Sequence, residues 1–138
     1  MYHRVTLTTL IIMGAPRTKK NSSRILRSRA GKPFLMPSKT FEDYQRDALW
    51  QLKRTWGTWP ALAVPVEVTA LFYRERNTGD LNNYIQALAD ILEKAKVVVN
   101  DRQIKSWDGS RLLIDRAQPR VQVTIRSMDP PEPTPHAE

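Results

Sequence analysis

Residues 80–94 have the sequence DLNNYIQALADILEK. Its apolar side chains recur at three- and four-residue steps, at Leu81, Ile85, Leu88 and Leu92. That spacing predicts a helix that buries one apolar stripe. Asp80 suits the position just before the first turn, where its carboxylate is favoured by the positive end of the helix dipole. We expect the helix to end near Lys94.

The segments on either side of this helix have strand patterns. Residues 5–13 (VTLTTLIIM) are apolar and β-branched, which predicts a buried strand. Residues 66–73 alternate between apolar and polar side chains and predict a second strand. After the helix, two more strands are predicted at 104–115 and 120–126, separated by a turn at Gln118 and Pro119.

A second helix is predicted between the first two strands. It begins at Ser38 or Thr40, either of which can cap it, and runs to about residue 56. Its apolar stripe consists of Phe41, Tyr44, Ala48, Leu52 and Trp56. The resulting order β-α-β-α-β-β indicates an α/β or α+β domain, with a mixed sheet of about four strands covered by two helices.

The length of 138 residues fits one domain with one hydrophobic core, which we place at residues 1–128. The last ten residues, DPPEPTPHAE, contain four prolines, and we expect 129–138 to be a disordered tail. The longest apolar run is too short to span a membrane, and the N-terminus lacks the layout of a signal peptide. We therefore expect a cytoplasmic protein.

The positive charge is concentrated near the N-terminus. Residues 1–41 contain nine Lys or Arg residues and no acidic residue, in a chain whose net charge is +8. Clustered cations release counterions from a phosphate backbone, so this pattern favours a polyanion partner over a merely solubilising surface. The predicted DNA-binding segment is 17–39, of which 17–32 is a loop or irregular hairpin. Its proposed phosphate contacts are Arg17, Lys19, Lys20, Arg24, Arg27, Arg29 and Lys32.

The predicted helix at 80–94 also has a polar face, formed by Asn82, Gln86, Asp90 and Glu93. No Lys or Arg lies between Asp80 and Glu93, although an ordinary solvated helix face usually contains some. We expect Asp101 to return close to Asp80. An ordinary solvated face with an N-cap aspartate remains the alternative for the helix alone.

Any metal bound here is expected to have oxygen ligands. The chain has no cysteine, which excludes disulfides and thiolate sites, and only two histidines. Carboxylate and amide oxygens suit hard cations such as Mg²⁺, Mn²⁺ or Ca²⁺. A cation held beside a basic loop that binds phosphate is the arrangement that phosphodiester hydrolysis needs.

Four segments, taken in order, resemble the segments that define the RusA family of Holliday-junction resolvases. They are GAPRTKKN (14–21), DLNNYIQALAD (80–90), VVVNDRQI (97–104) and WDGSRLLIDRAQPRVQVTI (107–125). The resemblance covers roughly residues 10–126. It implies a RusA-like fold, a homodimer, and a Mg²⁺-dependent endonuclease, with Mn²⁺ as a substitute metal. It further implies four-way junctions and other branched DNA as substrates, and a nucleoid-associated protein of a bacterium or phage.

Each site residue is assigned by its position in these segments. Asp80 matches the first aspartate of the family, and Asp101 matches the catalytic aspartate of the later corner. The resemblance thus implies a metal site of Asp80, Asn82 and Asp101, with Gln86 at a further catalytic position. Auxiliary positions implied in the same way are Asn83, Asp90 and Gln103.

Two positions depart from the family pattern in ways that affect the chemistry. Asn82 stands where the family has a second metal-binding aspartate, and Gln86 stands where it has a catalytic lysine. An amide oxygen still ligates Mg²⁺, but more weakly, and it cannot act as a general base. Gln86 lacks the positive charge that would stabilise the reacting phosphate. Asn100, in place of the first acid of the corner, is a milder change.

Three hypotheses follow. The first is a nuclease in which Asp80 and Asp101, helped by Asn82, hold Mg²⁺. The second is a protein of the same fold that binds junctions but cleaves poorly or not at all, because of Asn82 and Gln86. The third is a general RNA- or DNA-binding module, which would have no use for a cluster of acids.

The tryptophans bear on the predicted homodimer. Three of the four, Trp50, Trp56 and Trp59, lie in or just after the first predicted helix. One small core has limited room for them, so we expect some to lie at an interface between subunits. The alternative is that they simply fill the core.

Overall fold

The structure is a computed structural model that describes residues 7–19, 23–37 and 39–128. Its strands and helices, in chain order, are β1 Leu7–Met13, β2 Ser23–Arg27, β3 Pro33–Pro37, α1 Lys39–Trp56, β4 Val66–Arg74, α2 Leu81–Lys94, β5 Ile104–Ser106, β6 Arg111–Ile114 and β7 Arg120–Ser127. A short 3₁₀ turn, Asp101–Gln103, precedes β5. Both predicted helices are confirmed.

The main sheet has five strands and is mixed. β7 lies between β1 and β4 and runs antiparallel to both. β5 and β6 both pair with β4 in parallel, β5 near its beginning and β6 near its end. The predicted fold class, a mixed sheet with two helices, is confirmed.

The single strand predicted at 104–115 is wrong, because the chain forms two strands there. A turn separates β5 from β6, in which the Ser110 N–H donates to the carbonyl of Trp107 (3.1 Å). Gly109 has φ 82°, a left-handed conformation that favours glycine. The break gives the sheet one strand more than the four we expected.

The core lies on one face of the sheet, beneath α1 and α2. β4 alternates as predicted, with Val66, Val68, Ala70 and Phe72 buried. α1 buries its predicted stripe except Tyr44, which is partly buried. The buried face of α2 is wider than predicted and is formed by Tyr84, Ala87, Leu88, Ile91 and Leu92. Leu81 and Ile85 lie at its edge, partly buried.

A second, two-stranded sheet consists of β2 and β3. The sequence predicted a loop or irregular hairpin here, but the pairing is regular and antiparallel. The turn at its tip is closed by a hydrogen bond from the Ser28 N–H to the Lys32 carbonyl (2.9 Å). Gly31 occupies the left-handed position, with φ 80°.

Some predictions fall outside the described residues. These are the disordered tail at 129–138, the first two residues of the strand predicted at 5–13, and Ser38 as a helix cap. Within the described ranges, neither helix combines the length and hydropathy needed to cross a bilayer.

Candidate active site

Asp80 lies at the N-terminal end of α2 with an exposed side chain. It is the N-cap residue, yet its carboxylate makes no capping hydrogen bond. Its backbone carbonyl instead accepts from the N–H groups of Asn83 (3.2 Å) and Tyr84 (3.4 Å). The carboxylate is therefore at a helix N-terminus, where negative charge is favoured, and it is not used to complete the helix.

The predicted polar face of α2 divides into two parts. Asn82 and Gln86 are exposed, and within the described ranges their side chains make no hydrogen bond; Asn83 is partly buried. Asp90, one turn before the end of the helix, accepts from Gln45 Nε2 (3.2 Å) and pairs with Lys94 Nζ (3.1 Å). Lys19 Nζ lies 4.0 Å from the same carboxylate oxygen.

The environment of Asp90 suits a positioning role. Two lysines offset its charge, so it is less available to a metal ion than the open carboxylate of Asp80. Its contacts connect α1, α2 and the segment that contains Lys19. We therefore interpret Asp90 as the residue that holds the start of the basic segment against the helix.

The corner after α2 is closed by hydrogen bonds of Asn100 and Gln103. Asn100 Oδ1 accepts from the Arg102 N–H (2.8 Å), and Gln103 Oε1 accepts from the Asn100 N–H (2.8 Å). Gln103 Nε2 also donates to the carbonyls of Leu62 (2.6 Å) and Val64 (2.9 Å). Gln103 is thus a structural residue, and Asn100 supplies the cap that starts the 3₁₀ turn.

Asp101 lies at the other end of α2 from Asp80. Its N–H donates to Oε1 of Glu93 (2.7 Å), in the last turn of the helix, and its own side chain is exposed. Glu93 therefore fixes the backbone of Asp101 and leaves the Asp101 carboxylate open to solvent.

The expected convergence of Asp80 and Asp101 is wrong for a single chain. α2 has 14 residues, so its two ends are about 20 Å apart at 1.5 Å per residue. Ligand oxygens lie about 2 Å from Mg²⁺, and no aspartate side chain spans the difference. Across the residues the structure describes, no three His, Asp or Glu side chains are grouped to hold a metal ion.

An arginine-lined cleft, which the sequence did not predict, lies beside the N-terminal end of α2. Its volume is about 450 Å³, and its lining includes Arg17, Arg74, Arg76 and Gly79, the residue before Asp80. Arg17 comes from the segment after β1, whereas Arg74 and Arg76 come from the end of β4.

The rest of the basic segment extends from this cleft along the chain. Arg29 and Lys32 are exposed at the tip of the β2–β3 hairpin. Arg24 and Arg27 lie on β2, of which the structure describes the backbone, and Lys20 lies outside the described residues.

Comparison with known proteins identifies the family. The model of the family "Endodeoxyribonuclease RusA" matches residues 14–126. A curated relative, "Crossover junction endodeoxyribonuclease RusA" of Aquifex aeolicus (strain VF5), is 32% identical over 84 residues, 60% of this chain and 64% of that protein. The match thus spans less than two thirds of the relative's length. Since the family model covers most of the sequence, the chain belongs to the RusA family of endodeoxyribonucleases.

Proposed function

We propose that this protein is an endonuclease that binds four-way DNA junctions and other branched DNA and hydrolyses phosphodiester bonds in them. The observation that carries the proposal is the family match over residues 14–126, which includes every residue proposed for the site. The exposed carboxylate of Asp80 beside an arginine-lined cleft supports it, because hydrolysis of DNA needs a cation site next to a phosphate site.

The proposed cofactor is Mg²⁺, with Mn²⁺ as a substitute. Asp80, Asn82 and Asp101 would hold it, and their oxygen donors fit a hard cation. When bound, the metal would polarise the scissile phosphate and make a water molecule more acidic. Asp80 and Asp101 would supply the negative charge, and Asn82 would add a neutral amide oxygen. The arginines of the cleft would hold the DNA in place.

The proposed site is shared between two subunits. Because Asp80 and Asp101 lie at opposite ends of α2, one ion can contact both only if the second aspartate comes from another chain. A two-fold dimer would bring Asp101 of the partner subunit to Asp80 of the first chain. The same symmetry would bring Asp101 of the first chain to the second Asp80, so that two equivalent sites form. A four-way junction also has two-fold symmetry and needs two symmetric nicks.

Exposed apolar side chains around Asp101 support such a dimer. Val99, two residues before Asp101, is 60% exposed, and Val64, whose carbonyl accepts from Gln103, is 43% exposed. Trp59, which lines a cavity with Lys94 and Lys96 at the C-terminal end of α2, is 72% exposed, whereas Trp56 is buried in the core. A dimer interface that places Asp101 in the partner's site would bury the apolar surface next to Asp101.

Asn82 and Gln86 favour a second candidate function, junction binding without useful cleavage. Both are exposed on the face of α2 that begins at Asp80, and neither carries the charge expected at its position. The binding surfaces in the basic segment and the cleft would be unaffected by these two departures.

A cleavage assay tests the proposal. A mobile four-way junction and a linear duplex of the same sequence are incubated with the protein and Mg²⁺, beside the Asp80→Asn variant. We expect paired nicks in the junction alone, which are lost in the variant and with a chelator. Tight junction binding without nicks at any Mg²⁺ or Mn²⁺ concentration would contradict the nuclease function and support the second candidate, junction binding without useful cleavage.

A further inference from the structure

The arginine cleft has far more positive charge than its own acidic residues can balance. Arg17, Arg74 and Arg76 line it together with one carboxylate, that of Glu75. Arg17 Nη2 pairs with Glu75 Oε1 (3.0 Å), which accounts for one of the three cations. The cleft therefore has a strong positive potential, and its concave shape concentrates that potential.

Arg74 is the unusual member because it is buried. It is only 6% exposed, and its hydrogen bonds all go to neutral oxygens. Its Nε donates to the Leu113 carbonyl (3.3 Å), and its Nη1 donates to Asn77 Oδ1 (3.4 Å) and the Thr78 carbonyl (2.8 Å). Within the described parts of the chain, no carboxylate forms an ion pair with it. A buried cation without a counter-charge is costly, so a bound anion would relieve that cost.

The neighbouring acid, Asp115, is already committed elsewhere. Its backbone N–H donates to the Arg74 carbonyl (2.9 Å), but its carboxylate pairs with Arg120 Nη1 (2.8 Å). That hydrogen bond holds the pKa of Asp115 below its usual range, so the carboxylate stays ionised and bound to Arg120. Asp115 therefore does not neutralise Arg74.

Arg76 continues the basic surface away from the cleft. Its side chain is exposed and makes no hydrogen bond or ion pair to any residue that the structure describes. It also lines a second, open concavity of about 450 Å³ together with Glu75 and Arg116. Arg116 Nε donates to the Glu75 carbonyl (3.3 Å), which places a fourth guanidinium beside Arg76 in this concavity. The four arginines thus line two adjoining concavities rather than a single pocket.

We propose that a track of four arginines, Arg74 and Arg17 in the cleft followed by Arg76 and Arg116, binds successive backbone phosphates of a DNA strand next to the bond that is cut. The proposal rests on the proposed function and adds to it the path of the strand beyond Asp80. Guanidinium groups are strong hydrogen-bond donors to phosphate oxygens. The buried Arg74 is already oriented by its three protein acceptors, and its Nη2 makes no hydrogen bond to any residue that the structure describes. A chain of linked phosphates fits two adjoining basic concavities better than a single small anion does.

Salt-dependent binding tests the track with the variant Arg76→Ala. The Arg76 side chain has no partner among the residues that the structure describes, so we expect unchanged thermal stability. Affinity for a four-way junction should fall, and the slope of log K against log salt should become shallower by about 0.9, the contribution of one phosphate contact. The matched control is Arg126→Ala, an exposed arginine on β7 whose side chain likewise pairs with none of the described residues, and it should change neither quantity. An unchanged slope for Arg76→Ala would overturn the track.

A second measurement uses the natural sequence, because variants of the buried Arg74 can fail to fold. The Nε–H resonances of the arginines are followed by NMR without metal, first with inorganic phosphate and then with a short single-stranded oligonucleotide. We expect the Arg74 and Arg76 resonances to shift with the oligonucleotide, at lower phosphate concentration than with inorganic phosphate. Shifts with inorganic phosphate but not with the oligonucleotide would indicate a site for free anions and would overturn the proposal. The absence of shifts with either ligand would also overturn it.

Both readouts report binding and need no cleavage. Resonance shifts and a shallower slope in a protein that never nicks DNA would keep the track and reject the nuclease. If the protein cleaves DNA and its Arg76→Ala variant binds with an unchanged salt slope, the nuclease function is supported and the track is rejected.

Discussion

The two ends of α2 differ in how completely their polar groups are paired. At the N-terminal end, the Asp80 side chain makes no capping bond, and the Arg76 side chain has no partner within the described residues. At the C-terminal end, Glu93 accepts from the Asp101 N–H, and Gln103 bonds to the carbonyls of Leu62 and Val64. The N-terminal end is open to a ligand, whereas the C-terminal end is closed by the protein itself.

The difference indicates a division of roles. Charged groups that have no partner in the protein and lie beside a cleft are typical of a binding site, because a ligand can pair with them. Paired amides fix the backbone and leave one exposed carboxylate, that of Asp101, in a defined place. We therefore expect substitutions at the open end to affect chemistry, and substitutions of the paired amides at the closed end to affect stability.

The largest effect is expected for Asp80→Asn at the open end. The loss of the carboxylate should reduce Mg²⁺-dependent nicking of a four-way junction by about 10²- to 10⁴-fold, the usual cost of losing such a group. Its thermal midpoint should stay close to that of the natural protein, because the side chain makes no capping bond. The control is Asp43→Asn, an exposed acid on α1 that should change neither. Full activity of Asp80→Asn would remove this residue from the site.

The next largest effect is a gain from Asn82→Asp. If Asn82 is a metal ligand, the added charge should raise Mg²⁺-dependent nicking by up to about 10²-fold without changing the fold, because the two side chains have nearly the same shape. Gln86→Lys should add to this gain through its positive charge. Single-turnover rates at several Mg²⁺ concentrations measure both. A natural protein that cleaves well and is unaffected by Asn82→Asp would show that residue 82 does not contact the metal.

At the closed end, Gln103→Leu should lower stability. The substitution leaves the Val64 carbonyl without its Gln103 donor, removes one of the two donors to the Leu62 carbonyl, and takes from the Asn100 N–H its acceptor. These losses should cost about 1–3 kcal/mol of unfolding free energy. Gln86→Leu is the matched control, since Gln86 is exposed and has no partner in the described structure. Chemical denaturation measures both variants. Equal stabilities would mean that the corner does not depend on Gln103.

The smallest change is expected in the basic segment. Lys19→Ala combined with Lys20→Ala should weaken binding to all DNA, and it should make the log–log salt slope shallower by about 1.8, the sum for two phosphate contacts. Fluorescence anisotropy with junction and duplex DNA over a range of salt gives the slopes. Identical slopes for the double variant and the natural protein would exclude the pair as phosphate contacts.

The sequence predicted the regular elements better than the long-range contacts. The range 81–94 of α2 follows directly from apolar spacing and a capping residue, and the structure confirms it. The strand predicted at 104–115 is interrupted by one turn at residues 107–110. Apolar residues on both sides of that turn made one continuous strand the simpler prediction.

The candidate site was harder to predict because it depends on how the strands and helices are arranged, which determines the ends that lie close together. Arg17 and Arg74 are far apart in sequence, and the pairing of β7 with both β1 and β4 brings them together. Asp80 and Asp101 are closer in sequence, yet α2 separates them by its whole length. Spacing along the chain gave no information on either relation. The family resemblance assigned the two aspartates to one metal site, which the length of α2 does not allow within one chain.

Subunit mixing tests the shared site most directly. Asp80→Asn and Asp101→Asn proteins with different tags are each made in the parent that cleaves faster, the natural sequence or Asn82→Asp, and heterodimers are isolated by both tags. A site shared between subunits leaves one intact pair in each heterodimer, the Asp80 of one chain with the Asp101 of the other. We predict that each homodimer is inactive and that the heterodimer again nicks one strand of the junction. An inactive heterodimer beside an active parent would contradict the shared site.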